Sequence, residues 1–213
     1  MKLLHFNIWL AGCFFILGCK QPITNARPKI DTSKSFKIDT FWVTPKHTID
    51  FNSLTKTGTD TLDIAICGEY VYSPFGSIKD KSKFSSSLLK NFNVFDRTIS
   101  ADSVPIVLQV LKHNSSKLMF YFNNDPDAFK HSDIFKGEIY DSDVQFVNGI
   151  KIGMSVDAFY KSLFDYFPDE LKNKYKFFVL ESCVTGIKHI YKFENDKLKS
   201  VEFVTDYTFK SDY

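Results

Sequence analysis

The feature that most constrains this chain is the two-residue rhythm of its apolar side chains. Leu62, Ile64 and Ile66 alternate with Asp63, Ala65 and Cys67, and Val201, Phe203 and Thr205 alternate with Glu202 and Val204. Successive side chains of a strand point to opposite faces, so this rhythm fits half-buried strands and conflicts with the 3.6-residue period of a helix. Phe36/Ile38 and Phe41/Val43 repeat it near the start, as a strand pair or one bent strand. Residues 93–100, 104–112 and 117–122 are further strand segments, the last two joined as a hairpin by Asn114-Ser115-Ser116. After a loop at 123–130, residues 134–140, 144–147, 175–183, 186–194 and 198–206 continue the series. The aromatic content of 16%, with 23 Phe and 10 Tyr, points the same way, because aromatic rings suit a pleated surface.

Two segments break the rhythm. Phe84, Leu88, Leu89 and Phe92 fall at i, i+4, i+5 and i+8, one face of a short helix. Phe159, Leu163, Phe164 and Phe167 repeat that spacing 75 residues later, with Pro168 just past the end. Three strand segments follow each stripe, and an Asn-containing turn joins the last two of each set. The predicted fold class is therefore α+β: two short helices packed on a largely antiparallel sheet, as a tandem helix-plus-three-strand repeat. Its halves lie at about 76–123 and 149–206, inside a single domain spanning 35–213.

Ahead of that domain, Lys2 precedes an apolar run from Leu3 to Gly18, interrupted only by His5 and Asn7. The run is shorter than the roughly 20 residues that cross a membrane. A basic start, an apolar stretch and a small residue at its end make a secretory signal over 1–18. The sequence Ile16-Leu17-Gly18-Cys19 resembles the bacterial lipobox, which implies diacylation of Cys19 as the mature N-terminus. Leu10-Ala11-Gly12-Cys13 is a competing match, but cleavage there would strand Phe14-Phe15-Ile16-Leu17 outside the signal. Residues 20–34 are polar, carry Pro22 and Pro28, and show no periodicity, so 19–34 reads as a lipidated Cys and a flexible tether of roughly 20 Å. Lys20 after the Cys implies, by resemblance to enterobacterial sorting, an outer-membrane location facing the periplasm.

The stretch Gly149-Ile150-Lys151-Ile152-Gly153-Met154-Ser155 opens the second helix. Gly153 suits the turn out of a strand, Met154 fills the core, Ser155 caps the helix, and Asp157 sits at its positive end. Position 158 is Ala where a capping box would place Glu or Gln. This arrangement resembles the Gly-Met-Ser helix start of the BamE (small protein A) outer-membrane lipoproteins. The same αβ unit is duplicated in the β-lactamase inhibitory proteins. The resemblance implies a fold of that kind and a role in binding partners, and it carries no activity.

Local chemistry is sparse. The net charge of +2 argues against nucleic acid as a partner. Arg occurs only at Arg27 and Arg97, a compositional bias without functional content. Of the cysteines beyond the signal and anchor, Cys67 and Cys183 fit either a disulfide, which an oxidising envelope permits, or two separate buried thiols. His47, His113, His131 and His189 form no zinc-like cluster, and Asp125/Asp127 and Asp141/Asp143 lack the frame of a calcium loop, reading as turn formers. No nucleophile motif, phosphate loop or dinucleotide fingerprint occurs. The expectation is no cofactor, no metal and no catalytic set: a lipid-anchored binding or accessory module with a protein partner in the envelope. An inhibitor or immunity-type protein is the alternative, and a hydrolase with a dispersed site stands behind both.

Overall fold

The computed structural model describes residues 35–101, 104–122, 134–183 and 186–205. β1 (Phe36–Ile38) and β2 (Phe41–Pro45) form one hairpin, and β3 (Phe51–Thr57) and β4 (Thr61–Ile66) a second. β5 (Asn93–Ala101), β6 (Val104–His113), β7 (Ser116–Phe120) and β8 (Ile134–Ile139) pair antiparallel in succession. Then come α1 (Val156–Leu163), β9 (Phe164–Tyr166), α2 (Asp169–Lys172), β10 (Phe177–Ser182), β11 (Lys188–Glu194) and β12 (Lys197–Val204). Nine strands join one sheet in the order β3-β4-β10-β11-β12-β8-β7-β6-β5, and β1-β2-β9 make a small second sheet. β4 and β10 run parallel, whereas the other pairings are antiparallel, so the large sheet is mixed.

Alternation gives the large sheet a dry inner face. Leu62, Ile64, Phe178, Leu180, Tyr191, Val201, Phe203 and Leu118 all point into the main core. Helix α1 covers part of it. Ser155 caps the helix by accepting from the Ala158 N–H at 3.2 Å, and Gly153 takes φ +85° in the turn before it. Phe159 then enters a ring cluster, with centroids 4.9 Å from Phe178, 4.9 Å from Phe193 and 5.0 Å from Tyr191. Irregular chain covers the rest: Val71, Phe75, Ile78, Phe84 and Leu89 from one segment, Val144, Phe146, Ile150 and Ile152 from another, all buried.

This architecture corrects the predicted fold class. The protein is mostly β, 49% strand against 14% helix, and it is not a helix-packed α+β tandem repeat. The first predicted helix is a 3-10 stretch at Lys81–Ser86. There the hydroxyls of Ser85, Ser86 and Ser87 donate to the carbonyls of Ser82, Lys83 and Phe84, and Ser87 turns extended at ψ −178°. Such local bonds compete with helix continuation, and Leu88 is left 43% exposed while Phe84 and Phe92 are buried. The second predicted helix exists but is short: Phe164 leaves it at φ −124° to begin β9, where it pairs with Pro45 of β2. Phe167 is buried beyond the helix. The halves are not equivalent either, because β10 pairs with β4 while β8 joins β7 to β12.

Two smaller differences remain. β3 lacks a clean apolar rhythm and was not expected as a strand; its partner β4 holds it in place. Residues 144–147 form no strand beyond a single Gln145↔Lys151 bridge. The predicted loop at 123–130 lies outside the described residues.

Phe159→Ala should cost about 3–5 kcal/mol of stability, the range for a fully buried aromatic ring, measured by urea unfolding. Gly137 in β8 faces the Leu118 side chain, and a Cβ there would lie 2.8 Å from the Lys117 carbonyl oxygen. Gly137→Ala should therefore destabilise by about 1–3 kcal/mol, as overpacking against a paired strand does.

Candidate functional site

The outer face of β5–β8 differs from the rest of the sheet. Cross-strand pairing sets Phe95, Arg97 and Ile99 of β5 opposite Val110, Leu108 and Ile106 of β6. Next to them Lys112 faces Lys117, Lys117 faces Glu138, and Met119 faces Lys136. Leu108, Val110, Met119 and Phe135 form a second buried apolar cluster on this side. Around it stand four cations, Arg97, Lys112, Lys117 and Lys136, against the carboxylate of Glu138. The Lys112 ammonium lies 5.4 Å from the Phe95 ring centroid, within cation–π range.

Electrostatics mark the cluster. Partial burial, followed by the positive charges of Lys112, Arg97 and Lys136, pulls the Lys117 ammonium below its ordinary range, with Glu138 opposing. Like charges gathered at one place favour an anionic partner, because each anion met there relieves repulsion as well as gaining attraction. At the sheet margin Phe95 is 42% and Val107 47% exposed. The inner side of the same margin is held by Lys81, which donates to the Asp96 carboxylate at 2.7 Å and keeps its pKa low.

A second polar cluster reaches into the core, from the partly buried Tyr70 to His189 and Tyr191. His189 and Tyr191 have no exposure, the Tyr191 and Tyr70 hydroxyls lie 2.7 Å apart, and Tyr191 Oη is 3.5 Å from His189 Nδ1. Burial holds the imidazole neutral, pushing its pKa down to about 3 against a partial opposing effect of the Val71 backbone. Burial also raises Tyr70 and Tyr191. The Tyr70–Tyr191 bond ties the covering segment to β11.

The residues singled out in the sequence fall in separate places. Cys19 lies outside the described residues, as do His131, Asp125 and Asp127. Cys67 and Cys183 are joined by a disulfide with Cα atoms 5.2 Å apart. They sit one step beyond the register pair Ile66↔Ser182, so the parallel pairing of β4 and β10 brings them together. Asp141 accepts from the Ser116 N–H at 2.9 Å, and Asp143 lies 2.8 Å from His113 Nε2; both carboxylates secure the β6–β7 turn. Among the described residues no group of three His, Cys, Asp or Glu side chains could hold a metal. An open groove of about 480 Å³ runs between Tyr175, Phe193 and Asp196, and a shallower one of about 790 Å³ beside Leu88 and Val147. In the first, Lys192 is paired with Glu194 at 2.9 Å.

Phe95, Arg97 and Lys112 carry no local motif, and Arg97, which the composition alone marks as mere bias, gains its place here from the fold. Their shared face depends on the β5–β6 register, and the one visible clue was the alternation Phe95-x-Arg97-x-Ile99. No family model, curated protein or solved structure matches the chain.

The buried imidazole generates a test of the fold. Unfolded His189 titrates near 6.5 while the folded ring does so near 3, so the unfolded state alone takes up the proton between those values. Stability is unaffected by this group above pH 6.5 and should fall by about 1.4 kcal/mol per pH unit as pH drops through the window. His189→Leu should remove one proton's worth of that slope, read as the difference in unfolding free energy between the two proteins from pH 6 to pH 4.

Proposed function

We propose that the protein is a lipid-anchored binding module of the bacterial cell envelope, tethered at Cys19 and recognising another envelope component through the outer face of β5–β8. The observation that carries this reading is the coincidence, at one margin of the sheet, of an exposed aromatic ring and a cluster of cations around an apolar patch. Aromatic and Arg side chains supply much of the binding energy at protein interfaces. The Ile16-Leu17-Gly18-Cys19 run supports the anchor, since two acyl chains suffice for stable attachment. A tether of about 20 Å keeps the folded part near the membrane, where it meets other envelope proteins at high effective concentration.

Cys19→Ala should abolish labelling with radioactive palmitate and shift the protein from the detergent phase to the aqueous phase, whereas Cys13→Ala should do neither. The reverse pattern would move the anchor to Cys13. For the binding role, crosslinking in intact cells should trap a reproducible neighbour. Hydrolase turnover that a single polar-to-Ala change abolishes would overturn the binding reading.

A further inference from the structure

The two margins of the large sheet are not alike. At β3 the small sheet packs alongside, with Phe36 and Phe51 ring centroids 6.4 Å apart and the Lys56 ammonium 3.9 Å from Asp39. At β5, nine residues long, no described strand pairs with the outer edge. Its hydrogen-bonding phase follows from the turns. Asn114 and Ser115 make a two-residue turn between the paired His113 and Ser116, and such a turn closes on a hydrogen-bonded pair. Counting alternately from there, Leu108, Val110 and Lys112 of β6 bond toward β5, and their partners Arg97, Phe95 and Asn93 bond back. Pro105 agrees with this phase: lacking an N–H, it occupies a β6 position that faces away from β5. Val94, Asp96, Thr98 and Ser100 therefore direct their N–H and C=O groups outward.

Resting on the binding-module reading, we propose that this edge of β5 takes up an extended acidic peptide segment of a partner protein by strand addition. On the outer face its side chains would lie beside Phe95, Arg97 and Ile99. The favoured segment then places an acidic residue between two apolar ones at every second position, the carboxylate meeting Arg97 and the cations behind it. Backbone bonds supply affinity in this mode and side-chain pairing supplies selectivity.

The test uses the full-length protein in detergent and two peptides, Thr-Val-Thr-Glu-Thr-Val-Thr and the same peptide with Lys for Glu. The Glu peptide should bind at least tenfold more tightly, and Arg97→Glu should reverse the preference. Thr98→Pro, at a position whose N–H faces outward and where an edge strand tolerates proline, should weaken Glu-peptide binding at least tenfold with an unchanged melting temperature. Should that variant fail to fold, two versions of the Glu peptide, N-methylated at even or at odd residues, replace it: one set should bind and the other should not. Equal affinity for the Glu and Lys peptides, full binding by a folded Thr98→Pro protein, or equal binding by both N-methylated sets overturns the proposal. Binding of neither peptide, with a water-soluble short-chain phosphatidylglycerol shifting the NMR signals of Phe95 and Arg97, overturns it in favour of a lipid surface. None of these results bears on the anchored-module reading, which is decided separately by the palmitate label and the crosslinked neighbour.

Discussion

A nine-stranded sheet must keep one face dry, and among the described residues the eight-residue α1 is the longest helix available to do it. The rest of the cover is irregular backbone, whose N–H and C=O groups carry no partners of their own and cannot be buried unpaired. The structure answers by bonding loop to loop and loop to strand. The Val147 N–H donates to the Pro74 carbonyl at 2.9 Å, and the Phe146 N–H to Ile150 at 2.9 Å. The Gly153 N–H reaches Leu198 of β12 at 2.8 Å, and the Cys67 N–H reaches Asp50 at 2.8 Å. The Tyr70–Tyr191 and Tyr72–Ser182 hydroxyl pairs fasten the first covering segment to the sheet beneath. Phe75, Phe146 and Phe203 then stack through the layer, with centroids 4.9–6.0 Å apart.

Strand-level information was readable wherever one face is buried and the other wet. β4, β10 and β11 alternate cleanly between buried and more accessible side chains, and β12 does so from Val201 onward, past the register shift that follows Leu198. The first helix failed for the opposite reason: Phe84, Leu89 and Phe92 reach the core from a 3-10 turn and loops, with Leu88 left outside, and the serines between them bond their own backbone. The parallel β4–β10 pair was out of reach because partners so far apart leave no mark on local spacing. For the same reason neither the cysteine pairing nor the edge position of β5 could be deduced before the sheet order was known.

β6 shows how much a strand's surroundings matter. Val110 and Leu111 are neighbours in sequence and both buried, one in the outer cluster and the other in the main core. A strand flanked by apolar packing on both sides reads as a nearly continuous hydrophobic run, and Val110-Leu111 has that character, whereas Val107 nearer the margin stays 47% exposed. Double packing also stiffens this part of the sheet, so that Arg97 and Lys112 project from a firm base. A charged group held in place loses less freedom on meeting a partner than one on a mobile loop.

The parallel pairing of β4 with β10 has a consequence for the order in which the protein comes into being. Cys67 and Cys183 are 116 residues apart, and the strands they terminate share that separation. As the chain emerges from its N-terminus, the β3–β4 hairpin is complete long before β10 exists to cover its inner margin. Contacts of such long range are slow to form, so the nascent hairpin must persist with an open side until the last third of the polypeptide has arrived. A chain that folds only once it is whole has both β4 and β10 present from the start, and the hairpin then meets its cover without delay.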